Sequence, residues 1–247
     1  MLPTLQIGPL AIQAPGFFLL VGVWLGLVLA EKYAPDRKIN PTQINSLMLN
    51  AMLIGIISAR LAYVIRFPEA FLANPMGILS LNASLLDPLA GFSMACVYSY
   101  GYLQRRKLPT WAVLDALTPA FATLALAIGL SHLASGQAFG SPTELPWGIW
   151  LWGSTRHPSQ IYEILAAGII LIILWPGRKI LKERPEGVFF VEFISLSAGS
   201  RLFLDAFRGD SLMLPGGFRL AQVIAWFILA LSLWMRHRLM NTRGQKS

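Results

Sequence analysis

The chain has 247 residues, of which 55% are hydrophobic and only 13% charged, with a mean hydropathy of +0.58. That leaves too little polar surface to coat a soluble globule of this size, so the composition excludes a soluble domain and points to a bilayer. The formal net charge of +8 could suggest nucleic acid, but the basic residues recur after alternate apolar runs, a spacing that membrane topology explains and nucleic-acid binding does not.

A span needs about 20 mostly apolar residues, and the sequence predicts seven, at 12–30, 43–66, 87–104, 111–133, 159–176, 187–206 and 218–235. The expected fold is all-α, a single integral membrane domain over residues 1–247 with about seven transmembrane helices. No Lys or Arg precedes Lys32, so the first apolar run lacks the charged leader of a cleavable signal peptide and is expected to remain as a span. Lys32, Arg37 and Lys38 follow the first span, Arg105, Arg106 and Lys107 the third, Arg178, Lys179, Lys182 and Arg184 the fifth, and Arg236, Arg238, Arg243 and Lys246 the last. Together 14 of the 20 cations fall on one side. By the positive-inside rule those loops face the cytoplasm, which puts the N-terminus outside and the C-terminus inside.

In that orientation Arg60 lies in the outer half of span two. It can snorkel to the surface, as Arg66 is expected to, or pack with Ser58 and Ala59 on a helix face. Cys96, the single cysteine, falls in span three and reads as a small packed apolar residue. Asp115 and Glu192 stay in the inner half of their spans. Span four ends outside near His132, Ser135 and Gln137, and an extracytoplasmic loop at about 134–156 follows, carrying Trp147, Trp150 and Trp152. Indoles favour the headgroup layer, so these three form either an interfacial belt or a lid over a pocket.

Span five opens on Arg156-His157-Pro158-Ser159-Gln160-Ile161-Tyr162-Glu163. Ionisable groups at membrane depth cost roughly 2.5 to 3.5 kcal/mol each, so they face a protein interior or a wet cavity, and this stretch points to a polar site. Pro158 suits the first helical position, which makes His157 the expected cap and aims the free amides at the outer interface, an arrangement that favours phosphate. His157 itself reads as a structural cap or as a proton carrier. In span six, Arg201, Asp205 and Arg208 are spaced by four and then three residues, which stacks them on one helical face. That stripe is either a self-neutralising ladder or, with Arg60 adding a third outer cation beside one carboxylate, a site with surplus positive charge suited to phosphate.

The octet above, the stretch Ser58-Ala59-Arg60-Leu61-Ala62-Tyr63-Val64, the hexapeptide Leu114 to Pro119 and the segment Arg201 to Asp210 together resemble the prolipoprotein diacylglyceryl transferases over most of the chain. The resemblance implies an enzyme of the bacterial plasma membrane whose site faces the outer leaflet. Such an enzyme moves a diacylglyceryl group from phosphatidylglycerol to the lipobox cysteine thiol of a prolipoprotein. It further implies that Arg201 contacts lipid phosphate, that Asp205 stands for the family's glutamate, and that Arg208 matches a second arginine. No metal, cofactor or nucleic-acid partner is expected. The chain departs from the family at Ala95, where a histidine is usual, and at Leu130, where an arginine is usual; Pro15 stands before Gly16 in place of a tyrosine.

Alkylating a thiol requires thiolate, and a free thiol with a pKa near 8.5 is only a few per cent ionised at neutral pH, so a base or strong positive field is needed. The expected catalytic set is His132, His157, Arg201 and Asp205, and the expected substrate-binding set is Arg60, Arg156, Gln160, Tyr162, Glu163 and Arg208. The alternatives are a relative that binds phospholipid or lipoprotein without turnover, and a small-solute transporter, since intramembrane charge also marks transport pathways. The predicted topology is checked by cysteine labelling from outside: a probe at Thr143 should react and one at Lys182 should not, and the reverse pattern overturns the orientation.

Overall fold

The structure, a computed structural model, describes residues 4–7, 10–79, 85–175, 181 and 183–244. Arg178, Lys179 and Lys182 therefore lie outside the described residues. The architecture is predominantly helical, with α1 at Ala14–Tyr33, α2 at Pro41–Arg66, α3 at Pro68–Ala73, α4 at Pro88–Arg106 and α5 at Thr110–Ser135. After these come α6 at Ser159–Ile173, α7 at Val188–Leu204 and α8 at Leu220–Gly244. A helix stands at every predicted span. Among the described residues, four stretches are long and apolar enough to cross a membrane: Ala14–Arg37, Pro41–Arg66, Thr110–Ser135 and Leu220–Asn241. The sequence did not predict the two small antiparallel hairpins, β1 (Thr4–Ile7) with β2 (Leu10–Gln13), and β3 (Ile149–Leu151) with β4 (Ser154–Arg156).

Helix starts follow side-chain chemistry. Asn40 caps α2 by accepting from the Thr42 amide at 2.9 Å with Pro41 as the first residue, and Asp87 caps α4 by accepting from the Ala90 amide at 3.0 Å ahead of Pro88. Contacts divide the chain into two compact units, residues 39–110 and residues 1–38 with 111–247.

In the smaller unit α2 packs on α4 through small residues. A Cβ on Gly91 would lie 2.7 Å from the Gly55 carbonyl oxygen, and Ala95 lies in the same seam, 3.4 Å from where a Gly55 Cβ would be. Cys96 is exposed on α4, which corrects the expectation of a packed thiol. A thiol that behaves as a small hydrophobe has no need of a protein neighbour where the surroundings are lipid. Arg60 is buried, and its guanidinium donates from Nε to Ile78 O at 2.9 Å, from Nη1 to Leu85 O at 2.8 Å and from Nη2 to Gly77 O, with the Phe71 ring 5.5 Å away. It therefore does not snorkel; it is packed, as its neighbours Ser58 and Ala59 suggested, with its donors on three backbone carbonyls.

The larger unit is built around α5. Gly22 and Gly26 of α1 let its backbone approach so closely that a Cβ on Gly22 would meet the Ala127 Cβ at 2.2 Å. A core of Tyr33, Ala122, Ile170, Leu174, Leu181, Phe189 and Phe193 ties α1, α5, α6 and α7 together. Asp115 of α5 caps α7 from outside that helix, accepting from the amides of Gly187 at 2.8 Å and Phe190 at 2.9 Å. Its counterion is Arg37, with Nη2 2.6 Å from Oδ2 and side-chain exposures of 5% and 0% for the pair, and Arg37 also donates to Arg184 O at 3.0 Å. Breaking such a buried pair costs about 3–5 kcal/mol because it strands the remaining charge. Asp115→Ala is expected to lower the melting temperature of the detergent-solubilised protein far more than Arg66→Ala, whose side chain is 70% exposed; equal shifts would show that Asp115 is not the staple of α7.

Candidate active site

The larger unit brings five polar side chains to the ends of three helices. His132 comes from the last turn of α5, Glu163 from the second turn of α6 and Arg201 from the last turn of α7. Asp205 and Arg208 follow in the turn beyond α7. Glu163 is the node: Oε1 accepts from Nη1 of both Arg201 and Arg208 at 3.0 Å, and Oε2 lies 2.9 Å from His132 Nδ1. A carboxylate only accepts, so in the neutral imidazole Nδ1 carries the proton and Nε2 presents its lone pair.

Asp205 is fully buried, 3.9 Å through Oδ1 from the Nε of both arginines, and accepts from Ser211 Oγ at 3.0 Å through Oδ2. α7 ends at Leu204, so Asp205 sits in a 3-10 turn and Arg208 in extended backbone, yet the predicted Arg-Asp-Arg stripe forms across that change. Burial would lower the Arg208 guanidinium pKa, but the hydrogen bond and charge of Asp210, together with Glu163 and Asp205, raise it above its ordinary value. It is a permanent cation.

A backbone framework sets this geometry. Ser141 N donates to Phe207 O at 2.8 Å, Gly209 N to Phe139 O at 2.8 Å and His157 N to Ser141 O at 3.0 Å, so residues 139–141 run between the turn after α7 and the start of α6. Gly140 has no room for a side chain, since a Cβ there would stand 2.1 Å from the His157 carbonyl oxygen. Arg219 donates to the carbonyls of Asp205 and Arg208 and pins the turn that carries them.

Other predicted residues frame the site. Arg156 donates to Leu151 O at 3.0 Å and Gly140 O at 3.2 Å and stacks over Phe139. Gln160 is fully buried and donates to Gln137 O at 2.9 Å, and the Tyr162 hydroxyl accepts from Trp147 Nε1 at 3.0 Å. His157 does not cap α6: Pro158 occupies the N-cap and the helix begins at Ser159, because the amides of Ile161 and Tyr162 bond to Pro158 O. The His157 ring packs instead against Phe207 at 5.1 Å and Tyr162 at 6.3 Å. Arg60 belongs to the other unit, on the carbonyls described above.

The expected surplus of positive charge is not what the geometry gives. Arg201 and Arg208 face Glu163, Asp205 and Asp210, the last gripping Arg208 through two hydrogen bonds at 2.9 and 2.8 Å. Asp210 and Arg219 were missed from the sequence. Asp210 has a signal, lying two residues beyond Arg208; Arg219 has none, since its partners are carbonyls.

Two cavities open on this cluster. One of about 240 Å³ lies among α5, α6 and α7, with Ala122, Ala125, Ile128 and Phe193 in its apolar wall and His132, Glu163 and Arg201 in its polar part. The other, of about 330 Å³, is lined by His132, Arg208, Asp210 and the residues just after α5. An apolar slot with a guanidinium and an oriented imidazole suits a lipid whose reacting group is polar.

The sequence profile of the prolipoprotein diacylglyceryl transferase family matches residues 3–237. The chain belongs to this family. Among its relatives, a phosphatidylglycerol–prolipoprotein diacylglyceryl transferase of Thermosynechococcus vestitus is 32% identical over 96% of this chain and 91% of its own length. One of Synechococcus elongatus is 30% identical over 92% and 84%, and one of Clostridioides difficile 31% identical over 85% and 84%. Within this diacylglyceryl transferase family member, the chain's departure at Ala95 lies in the α2–α4 seam, and Leu130 lies on α5 two residues before His132.

Proposed function

We propose that this chain is a phosphatidylglycerol–prolipoprotein diacylglyceryl transferase of the bacterial plasma membrane. In this reading it has seven spans, its N-terminus outside, and its site open to the outer leaflet. The observation that carries the reading is one imidazole, His132, oriented by Glu163 on the wall of an apolar cavity that also holds a guanidinium, Arg201. Acyl chains occupy the slot among α5, α6 and α7, and the phosphate meets Arg201, whose side chain is 43% exposed. His132 Nε2 takes the proton of the lipobox thiol. The sulfur then forms its bond to the glyceryl carbon as the carbon–oxygen bond to phosphate breaks, and glycerol phosphate leaves with the electron pair, its charge met by Arg201. Glu163, Asp205 and Arg208 are positioning residues, while Arg156, His157, Gln160 and Tyr162 shape the mouth and Arg60 holds the carbonyls of Gly77, Ile78 and Leu85.

A second reading, a relative that binds phospholipid without turnover, draws on Ala95 and Leu130 in place of the usual histidine and arginine. Transfer of labelled diacylglyceryl from phosphatidylglycerol to a lipobox peptide by the purified protein separates the two. A thioether product is expected, and His132→Ala should lower turnover by about 10²- to 10⁴-fold, the usual contribution of a general base. Arg201→Ala should abolish phospholipid binding while Arg66→Ala leaves it intact. Lipid binding with no product, under conditions in which a proven family enzyme works, establishes the second reading; equal effects of the two arginine substitutions remove Arg201 from the site.

A further inference from the structure

His132 lies at the boundary of two cavities that differ in chemistry. The residues of α5 before it line the apolar slot, and the residues after it line the second cavity, which is walled by Ser135, Gln137, Trp152, Arg208 and Asp210. A transfer between a lipid and a thiol needs two approaches to one base, and the apolar slot provides one of them. We propose that the second cavity receives the cysteine-bearing segment of the acceptor polypeptide, with Trp152 as the wall that holds it; this rests on the transferase reading above.

Three observations single out a peptide as the occupant. Small residues predominate where the chain leaves α5, with Ser135, Gly136 and Ala138 all at the cavity, so the room there is not filled by their own side chains. Arg208 is already held by Asp210 and Glu163, so the guanidinium at this cavity is committed, and an anionic headgroup would meet the Asp210 carboxylate there. The third concerns the turn between β3 and β4, where Trp152 and Gly153 both have positive φ, 53° and 77°. Such two-residue turns favour Asn, Asp or Gly at the first position, and a bulky aromatic there is a strained choice. Here the indole donates from Nε1 to Gly136 O at 3.4 Å and lines the cavity. An aromatic wall carried on a strained turn suits the apolar side chains of a peptide.

The test is disulfide capture of a lipobox peptide whose cysteine is activated as a mixed disulfide, with no lipid donor present. In a Cys96→Ser background, Ser135→Cys places a thiol in the second cavity and Ala166→Cys places one in the apolar slot. Rates are divided by those with a small disulfide reagent to remove intrinsic reactivity. Because a bound peptide presents its cysteine at high local concentration, Ser135→Cys should be captured about tenfold faster or more than Ala166→Cys. Adding Trp152→Ala should remove that advantage, and Trp152→Phe, which keeps a ring, should retain part of it. Equal or reversed rates overturn the proposal, as does protection of Ser135→Cys by glycerol phosphate but not by a peptide with serine in place of its cysteine, which would make the cavity a headgroup or product site. Capture needs no turnover. Transfer without preferential capture sinks only the acceptor site, and capture without transfer sinks only the catalytic reading.

Discussion

The carboxylate of Glu163 is the constraint on which the site depends. A charged group on an otherwise apolar helix has to be paired, and its partners come from three directions: His132 from α5, Arg201 from α7 and Arg208 from the turn beyond α7. One anion thereby fixes the ends of three elements and also decides which nitrogen of His132 is free. The helices could not be respaced without stranding a charge, so the apolar slot among them keeps its width wherever the cluster is intact. Structural ladder and chemical orientation are here one set of hydrogen bonds.

α7 is held at both ends. Asp115 supplies the cap that the helix lacks in its own sequence, where Gly187 at the N-cap has positive φ and no side chain, and the Arg201–Glu163 pair fixes the other end. Arg37 is the counterion of Asp115 while Asp115 accepts those amides. Between the two anchors, small residues leave the slot open. Ala122 and Ala125 of α5 and Ala166 and Ala167 of α6 face it, whereas Gly129 brings α5 so near α6 that a Cβ would lie 3.0 Å from Ile164 Cγ1. The helices touch at one level and part at another, and the parting is the cavity.

Helix positions were legible from the apolar runs, while the caps Asn40-Pro41 and Asp87-Pro88 emerge only in the structure. The Arg201, Asp205, Arg208 grouping was legible from spacing, although α7 stops at Leu204 and a 3-10 turn carries the stripe on. The charge balance was not, because Glu163 and Asp210 reach the cluster from other elements and linear spacing cannot sum charges across a fold. Arg60 shows the same limit: its partners are three carbonyls, and carbonyls carry no sequence signature. The framework through Gly140, Ser141, Phe207 and Gly209 is likewise backbone on backbone, visible beforehand only as two glycines.

The two arginines on Glu163 are not equivalent. Arg208 has a side chain 12% exposed and donates to Glu163 and twice to Asp210, whereas Arg201 is 43% exposed and lines both the α5–α6–α7 slot and a second apolar cleft of about 440 Å³ against α8. In the proposed reading, an arriving phosphate therefore meets Arg201. A phosphate that takes Arg201 leaves Glu163 with Arg208 and His132, so the orientation of the base survives binding. Had both arginines been equally open, the same phosphate would have competed for every cationic partner of the carboxylate that aims the imidazole. In the proposed reading, the asymmetry lets a cluster whose arginines are already paired accept an anion without losing the group that would activate the nucleophile.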